Sequence, residues 1–546
     1  DFGFRSSRGA GACLHGSDEG RFPAIAKRFI FDVIFEMDSA MEKKNREEIT
    51  KNKKVMVVGS GLGGISAAVS LATEGFEVEI FEKNDKIGGK LNVLKKEGFS
   101  FDLGPSIIIL PHLFRRLFEK AGKSMDDYVS FEEIHPQWRS FFEDGTVLDL
   151  HSDMKEMEKE IARFGEEASG YWAFIEYSRM LYKFAEESYL DRGSDSAKEI
   201  MKGHGPLEIL KKTDFFATVD RGVRRHLRSR YLQDMFNFFL KYVGSSPYDA
   251  PALMNLLPYS QLGYGLWYVK GGMYNLAKGY EKLMRELGVK IHCDSEVVKM
   301  VKNGERIEGV CLKDGREIKG DIIVSNMEVI PAYRELLAEK ESILSRYESR
   351  YEPACSGIVV HLGVDKIYPQ LRHHNFFFSK DPKKHFDTIH HDKKLPEDPT
   401  IYLVCPTKTD RTIAPDGHDI IKILPHIPYL QNPRFTQEQY LQLKEKLYDK
   451  LERMGLENLR KHIVVEDMLT PEDIQRMYYS NKGSIYGVVS SRKKNFALKA
   501  PKKSAFYRNL YFVGGSVNPG GGTPMVILSG QMVRDIVLKD LGEKHV

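Results

Sequence analysis

The chain has 546 residues, 42% hydrophobic and 29% charged, with a formal net charge of +4. That length exceeds what one hydrophobic core needs, so two or three structural regions are expected, and the composition excludes wholesale disorder. The charge balance is too small to direct the chain to nucleic acid, and no run approaches the roughly 20 apolar residues of a membrane span.

Residues 1–50 read as an N-terminal extension expected to be poorly ordered. Its stretch "RFPAIAKRFIFDVIFEM" is basic, aromatic and too short to span a bilayer. It has two readings: an amphipathic helix on a membrane surface, or sequence upstream of a start at Met37 or Met41. The second is favoured, because "MEKKNREEITKNKK" has the character of a solvated leader into the first strand.

Val55–Val58 is an apolar run of the kind that forms a buried parallel strand. Gly59, Gly61 and Gly64 follow it in the spacing G-x-G-x-x-G, with Gly63 inside the motif. Gly59 permits the tight turn, Gly61 lets the backbone approach a pyrophosphate, and Gly64 lets the next helix pack closely on the strand. That helix, "GISAAVSLATEG", presents free N–H groups to phosphate. "FEVEIF" is the second strand and ends at Glu82, an acid placed to accept hydrogen bonds from ribose hydroxyls, with Lys83 beside it. Strand, glycines, helix, strand and acid in that order predict a dinucleotide site. A second doublet, Gly88–Gly89, precedes Lys90, and "FSFDLGPS" follows.

Arg139 and Asp149 fall on an expected strand pair. They are candidates for proton transfer, or else a surface ion pair. "RGVRRHLRSRYLQDMFNFFLKYVG", residues 221–244, concentrates basic residues and then aromatic ones, a pattern suited to an anionic membrane surface. Trp267 in "GLWYVKGG" abuts Gly271–Gly272 and is the aromatic candidate for a substrate contact. "NGERIEGVCLKDGREIKG" alternates, carries two turn signals and reads as a small antiparallel ribbon. His373–His374 and His390–His391 lack metal-site spacing, and neighbouring side chains on a strand diverge, so no metal is expected. The five cysteines are odd in number and contain no C-x-x-C pair; both facts argue against a disulfide framework or a zinc site and suit a reducing cytosol. Near the C-terminus, Leu510–Val513 is a strand, five glycines fall within Gly514–Gly522, and a helix starts at about Pro524. Proline in the first helical turn loses no needed N–H.

The order Glu82, Gly88–Gly89, Lys90 resembles flavin amine oxidases and carotenoid desaturases. From Lys54 onward the chain resembles the bacterial-type phytoene desaturase family. The resemblance implies an α/β fold: a discontinuous Rossmann-like FAD-binding domain, flavin amine-oxidase-like, with an interleaved α+β substrate domain. It assigns residues 51–150, 265–345 and 471–546 to the first, and 151–264 and 346–470 to a substrate- and membrane-facing domain. It also implies cofactor contacts from Lys83, Gly88, Gly89, Lys90, Val297, Gly514, Gly515, Gly522, Thr523, Pro524 and Met525. The C-terminal helix would point its positive end at the flavin.

The turn "SVNPGGGTP" departs from the desaturases' T-H-P-G-A-G, with Asn518 at the histidine position and Gly521 at the alanine. Segments such as "HPQWRSFFEDGT", "KYVGSSPYDAPA" and "EPACSGIVVHLGV" resemble the branch that oxidises a terminal methyl of a C30 carotenoid to an aldehyde. Asn518 is then the residue expected to hold a water or O2 beside the oxidised carbon. The implied partners are a carotenoid and the inner face of the cell membrane, bound peripherally from the cytoplasm. The alternatives are a carotenoid desaturase, which adds no oxygen, and a non-catalytic carotenoid-binding protein.

Overall fold

In the computed structural model, which describes residues 49–191 and 193–542, the apolar run ahead of the glycine loop forms the strand Lys54–Val58. The stretch "RFPAIAKRFIFDVIFEM" and the alternative starts lie outside the described residues. The helix Leu62–Ala72 follows and leads to the strand Glu77–Phe81, which pairs parallel with the first. Five parallel strands lie in the order Leu510–Phe512, Ile322–Ser325, Lys54–Val58, Glu77–Phe81, Lys290–His292. Val55, Met56 and Val57 are fully buried, as a strand covered on both faces requires.

The C-terminal helix Thr523–Gly542 packs on the glycine-loop helix. A side chain at Gly530 would meet the Ala67 amide nitrogen at 2.5 Å, so glycine sets that approach. The ribbon forms as Val297–Asn303 paired antiparallel with Arg306–Leu312, and Glu317–Lys319 adds a third strand.

A second sheet has eight strands and builds the other wall. Its main path runs Ile463–Leu469, Val359–Val364, Asp419–Ile427, Ile401–Val404, His374–Phe377, Trp138–Phe141, Val147–Leu150. Phe376 lies opposite Tyr402, and Tyr402 opposite Leu424. Period-two alternation then puts His374, Phe376, Tyr402, Lys422 and Leu424 on one face. The other face, with Phe377, Leu403, Ile421 and Ile423, joins a core with Leu443, Leu447 and Leu451 of the helix Gln437–Arg453.

Two expectations need correction. The hairpin Trp138–Leu150 was grouped with the cofactor segment 51–150, but Asn375 pairs with Arg139, and the hairpin completes the second sheet. Its partner strand is more than 200 residues away, so local pattern carries no sign of the pairing. The basic-aromatic segment 221–244 is not a single surface face: Arg221, Arg224, Arg225, Arg228 and Arg230 are exposed, but its aromatic half turns inward. Arg224, Arg225, Arg228 and Arg230 pair with Asp220, Asp214, Glu167 and Asp144, while Phe236, Phe238 and Phe239 are buried.

Candidate cofactor and substrate cavity

The glycine loop is shaped by what a Cβ would strike. Gly59 has φ +89°, and its amide donates to the Phe81 carbonyl at 2.8 Å, tying the turn to the second strand. A Cβ at Gly64 would lie 2.1 Å from the Gly59 carbonyl oxygen, so only glycine lets the helix start this close to the strand. At Gly63 it would lie 2.8 Å from the Gly514 amide nitrogen, which brings the C-terminal turn onto the first loop. Gly61 caps the helix Leu62–Ala72 in extended conformation and forms a parallel bridge with Gly88. Asn326, which the sequence reading passed over, accepts from the Gly64 amide at 2.8 Å.

Glu82 is buried and its carboxylate is saturated. One oxygen accepts from the Ser60 amide at 2.9 Å and hydroxyl at 2.6 Å, the other from the Asn84 amide at 3.0 Å and Nδ2 at 2.8 Å. Lys83 lies over the Tyr479 ring at 3.7 Å. Lys90 donates to the carbonyls of Ser484 and Ile485 and lies 3.7 Å from Glu328, and burial lowers its pKa. These residues, with Gly88, Gly89, Val297, Gly514, Gly515, Gly522, Thr523, Pro524 and Met525, line one continuous cavity of about 800 Å³.

The cavity leaves the glycine loop, passes Tyr402 and Leu424 on the second sheet, and reaches Ile200, Ile209 and Phe215. At that end Met201, Leu210 and Phe496 line the wall while also being exposed. Other residues singled out from sequence lie elsewhere. Trp267 is off the cavity wall, its indole N–H donating to the Tyr264 carbonyl at 2.8 Å. Arg139 and Asp149 form a two-pronged pair at 2.7 and 2.6 Å on the hairpin, and Arg139 also donates to the Gln370 carbonyl, so both act as sheet-edge ties away from the cavity. Asn518 is 1% exposed and does not line the cavity, though Pro519 and Gly520 do. Its Oδ1 accepts from the Lys499 amide at 2.8 Å and from the Tyr189 hydroxyl. Its Nδ2 donates to the Asp195 and Lys499 carbonyls. An amide engaged this way holds the turn against residues 189–195 and has no free group for a water or O2.

A match to the flavin containing amine oxidoreductase family model runs over residues 62–533. The chain belongs to that family. Its cofactor is FAD, and the walls just described fit it. The loop helix N-terminus and the Gly59–Gly61 backbone would hold the pyrophosphate, and Glu82 would hold the ribose once Asn84 Nδ2 gives way to a ribose hydroxyl. The chain is 54% identical over 492 residues to the 4,4'-diapolycopene oxygenase of Methylomonas sp, covering 90% of this chain and 99% of that one. It is 51% identical over 484 residues to the 4,4'-diaponeurosporene oxygenase of Staphylococcus haemolyticus, covering 88% and 96%. Among solved structures, a redesigned putrescine oxidase matches with TM-score 0.60 at 12% identity, covering 89% and 99%. A Methanosarcina mazei oxidoreductase matches with TM-score 0.58 at 16% identity, covering 88% and 100%. These two share the flavoprotein fold.

Three lysines on the wall of this flavoprotein's cavity escaped the sequence reading. Lys422 donates to the Gly104 carbonyl and to Ser106 Oγ, and burial pushes it down to about 8 against the pull of Asp102. Lys499 donates to Ser490 Oγ at 2.8 Å, and burial takes it to about 7. Lys241 is 3% exposed and ringed by aromatics. The available signal was a single cation inside an apolar run, as in "FNFFLKYVG" and "DIIKILPHI". The rings of His373 and His374 do not diverge as expected. Their centroids are 4.4 Å apart, because His373 precedes the strand, and they bond separately to Thr409 and Tyr402. Ligand atoms of Asp149, His151 and Glu160 come within 4.8 Å of one another, but Arg139 and Arg163 already neutralise the two acids.

Asp102 accepts from the Met273 amide at 2.9 and 3.1 Å, and burial pushes it up to about 6. Below about pH 4 both folded and unfolded chains hold this proton. Between about pH 4 and about pH 6 only the folded state still holds it, and above about 6 neither does, so stability from this group is lost across that window. Asp102→Asn should therefore show a smaller drop in urea midpoint between about pH 4 and about pH 7 than wild type. An equal drop would mean that another group carries it.

Proposed function

We propose that this protein oxidises the terminal methyl group of a C30 carotenoid to an aldehyde. The observation that carries the reading is the continuous cavity of about 800 Å³, which joins the cofactor walls at one end to exposed apolar side chains at the other. An elongated hydrocarbon is the ligand such a shape suits, and the names of the two carotenoid oxygenase relatives support the end group and chain length. Bound FAD supplies the hydride acceptor. The chain's own part is alignment and exclusion of water. Tyr402, Leu424 and Val359 form an apolar floor, and Leu253, Met254 and Leu257 face the same space.

The test is product mass from purified holoenzyme fed diaponeurosporene. Gain of one oxygen with loss of two hydrogens at one end supports the proposal. Loss of hydrogens alone would replace it with a desaturase.

We also infer peripheral docking on an anionic bilayer through the open end of the cavity, at Ala197–Gly203, Pro206–Lys212, Phe216 and Phe496. Leu207 and Phe216 are each 72% exposed, and Phe496 is 55% exposed and stacks on Phe215. Lys198, Lys202, Lys211 and Lys493 are exposed around them. Apolar side chains beside the entrance with a basic fringe suit a bilayer holding the substrate. The triple variant Leu207→Ser, Phe216→Ser, Phe496→Ser should lower flotation with phosphatidylglycerol vesicles by at least about tenfold while FAD content stays unchanged. Unchanged flotation would remove this surface.

A further inference from the structure

Lys241 sits where a cation has no business being. Its Nζ lies 4.2 Å from the ring centroid of Tyr242, 4.4 Å from Tyr402, 4.8 Å from Phe376 and 4.9 Å from Trp138. The residue is buried and lines the cavity, and no hydrogen bond or ion pair to Nζ is found among the described residues. The titratable groups around it are the imidazoles of His374 and His426 and the two phenols, with no carboxylate among them. The next residue's carbonyl oxygen, that of Tyr242, lies 3.8 Å from the place a Gly522 Cβ would occupy. Tyr242 and Tyr402 line the cavity beside it, so the amine faces the stretch of wall built by the second sheet and not the open end at Ile200, Ile209 and Phe215.

We infer that Lys241 captures a conjugated aldehyde in this cavity as a reversible imine. The inference rests on the reading that the product is such an aldehyde. The nitrogen lone pair attacks the carbonyl carbon, a C–N bond forms, and the carbonyl π pair moves to oxygen, which takes one nitrogen proton. The C–O bond then breaks and water leaves with the second nitrogen proton. One aldehyde and one amine give one imine and one water, with no change of oxidation state.

Three features favour this over an inert buried lysine. Burial without a counter-charge lowers the Lys241 pKa well below its ordinary value, which shifts the amine towards its neutral, nucleophilic form. The dry apolar wall disfavours hydrolysis of the adduct. The four ring faces stabilise positive charge, and a protonated imine conjugated with a polyene carries that charge in the same place. Lys422 and Lys499 lack this combination, since each already donates to Oγ of a serine, Ser106 or Ser490.

The experiment uses the full-chain holoenzyme with all-trans-retinal as the probe aldehyde and sodium cyanoborohydride as the trap, followed by peptide mapping by mass. At about pH 7.5 an exposed lysine is neutral roughly one time in a thousand, so label at Lys241 should exceed that at any exposed lysine by at least about a hundredfold. Lys241→Met should lose that label and keep its FAD. If Lys241→Met fails to fold, the wild-type map decides alone. Label spread over surface lysines, or confined to Lys422 or Lys499, would overturn the inference. The probe is already an aldehyde, so trapping is read independently of methyl oxidation. Label at Lys241 in an enzyme that adds no oxygen would sink the proposed function and leave the imine standing.

Discussion

Gly61→Val is expected to yield folded protein carrying about a tenth or less of wild-type FAD, a loss of about 1.4 kcal/mol or more in binding. Gly61 caps the loop helix with φ −66° and ψ 170°, a conformation valine adopts without strain, so the backbone turn survives. The new Cβ would lie 2.5 Å from Asn326 Nδ2, the end of a side chain that can move. Moving it costs the Asn326 bond to the Gly64 amide, and the two added methyls fill cavity wall that a pyrophosphate needs. Gly64→Val is a different experiment. Its Cβ meets the Gly59 carbonyl at 2.1 Å, backbone against backbone, and the expected result is insoluble protein. Flavin absorbance per mole of protein, with far-ultraviolet circular dichroism as the folding control, separates the two. Full flavin content in folded Gly61→Val would remove the loop from the cofactor site.

Asn518→Ala is expected to destabilise the protein by about 3 kcal/mol without changing what the folded fraction makes. The substitution strands the Lys499 amide and the Tyr189 hydroxyl, which lose an acceptor, and the Asp195 and Lys499 carbonyls, which lose a donor. All of this happens at a site 1% exposed, where water cannot substitute. The urea midpoint should fall, and the oxygenated fraction of product per mole of bound flavin should stay at the wild-type level. Asn518→His should behave the same way, because position 518 is buried and does not line the cavity. A shift towards merely desaturated product, with stability retained, would restore Asn518 to a direct part in the chemistry.

The glycine loop was legible because its constraints are local. A strand, a tight turn and a helix start lie within a few residues of one another, so the spacing of Gly59, Gly61 and Gly64 states the geometry directly. Glu82 was legible for the same reason, being one strand further on. The C-terminal turn was legible through its glycine density, since close backbone approach excludes side chains whatever the partner is.

Arg139, Asp149, Asn518 and Trp267 went the other way. Each is a polar or aromatic residue in a suggestive place, and each is consumed by a partner: Asp149 by Arg139, the ion-pair reading of that strand pair, and Asn518 by Tyr189 and Lys499 and Trp267 by Tyr264, which the sequence does not reveal. Whether a polar group is spent or free depends on which atoms are brought within about 3 Å of it, and those come from anywhere in the chain. Segment 221–244 divides into an exposed basic half and a buried aromatic half for a related reason. Its arginines find acids as distant as Asp144 and Glu167, and its phenylalanines turn inward.

By itself, then, the order of residues determined the dinucleotide half of this protein, since that half is built from short-range turns and a parallel strand pattern. Only the tertiary structure decided which walls the substrate meets. The second sheet joins Trp138–Leu150 to strands between Val359 and Leu469, and its alternation turns Tyr402, Lys422 and Leu424 towards the cavity. Lys241 reaches the same space from a different segment, and its chemistry arises from four rings supplied by residues 138, 242, 376 and 402. A cavity is a property of surfaces that face one another, and facing is settled by long-range packing that no local spacing encodes.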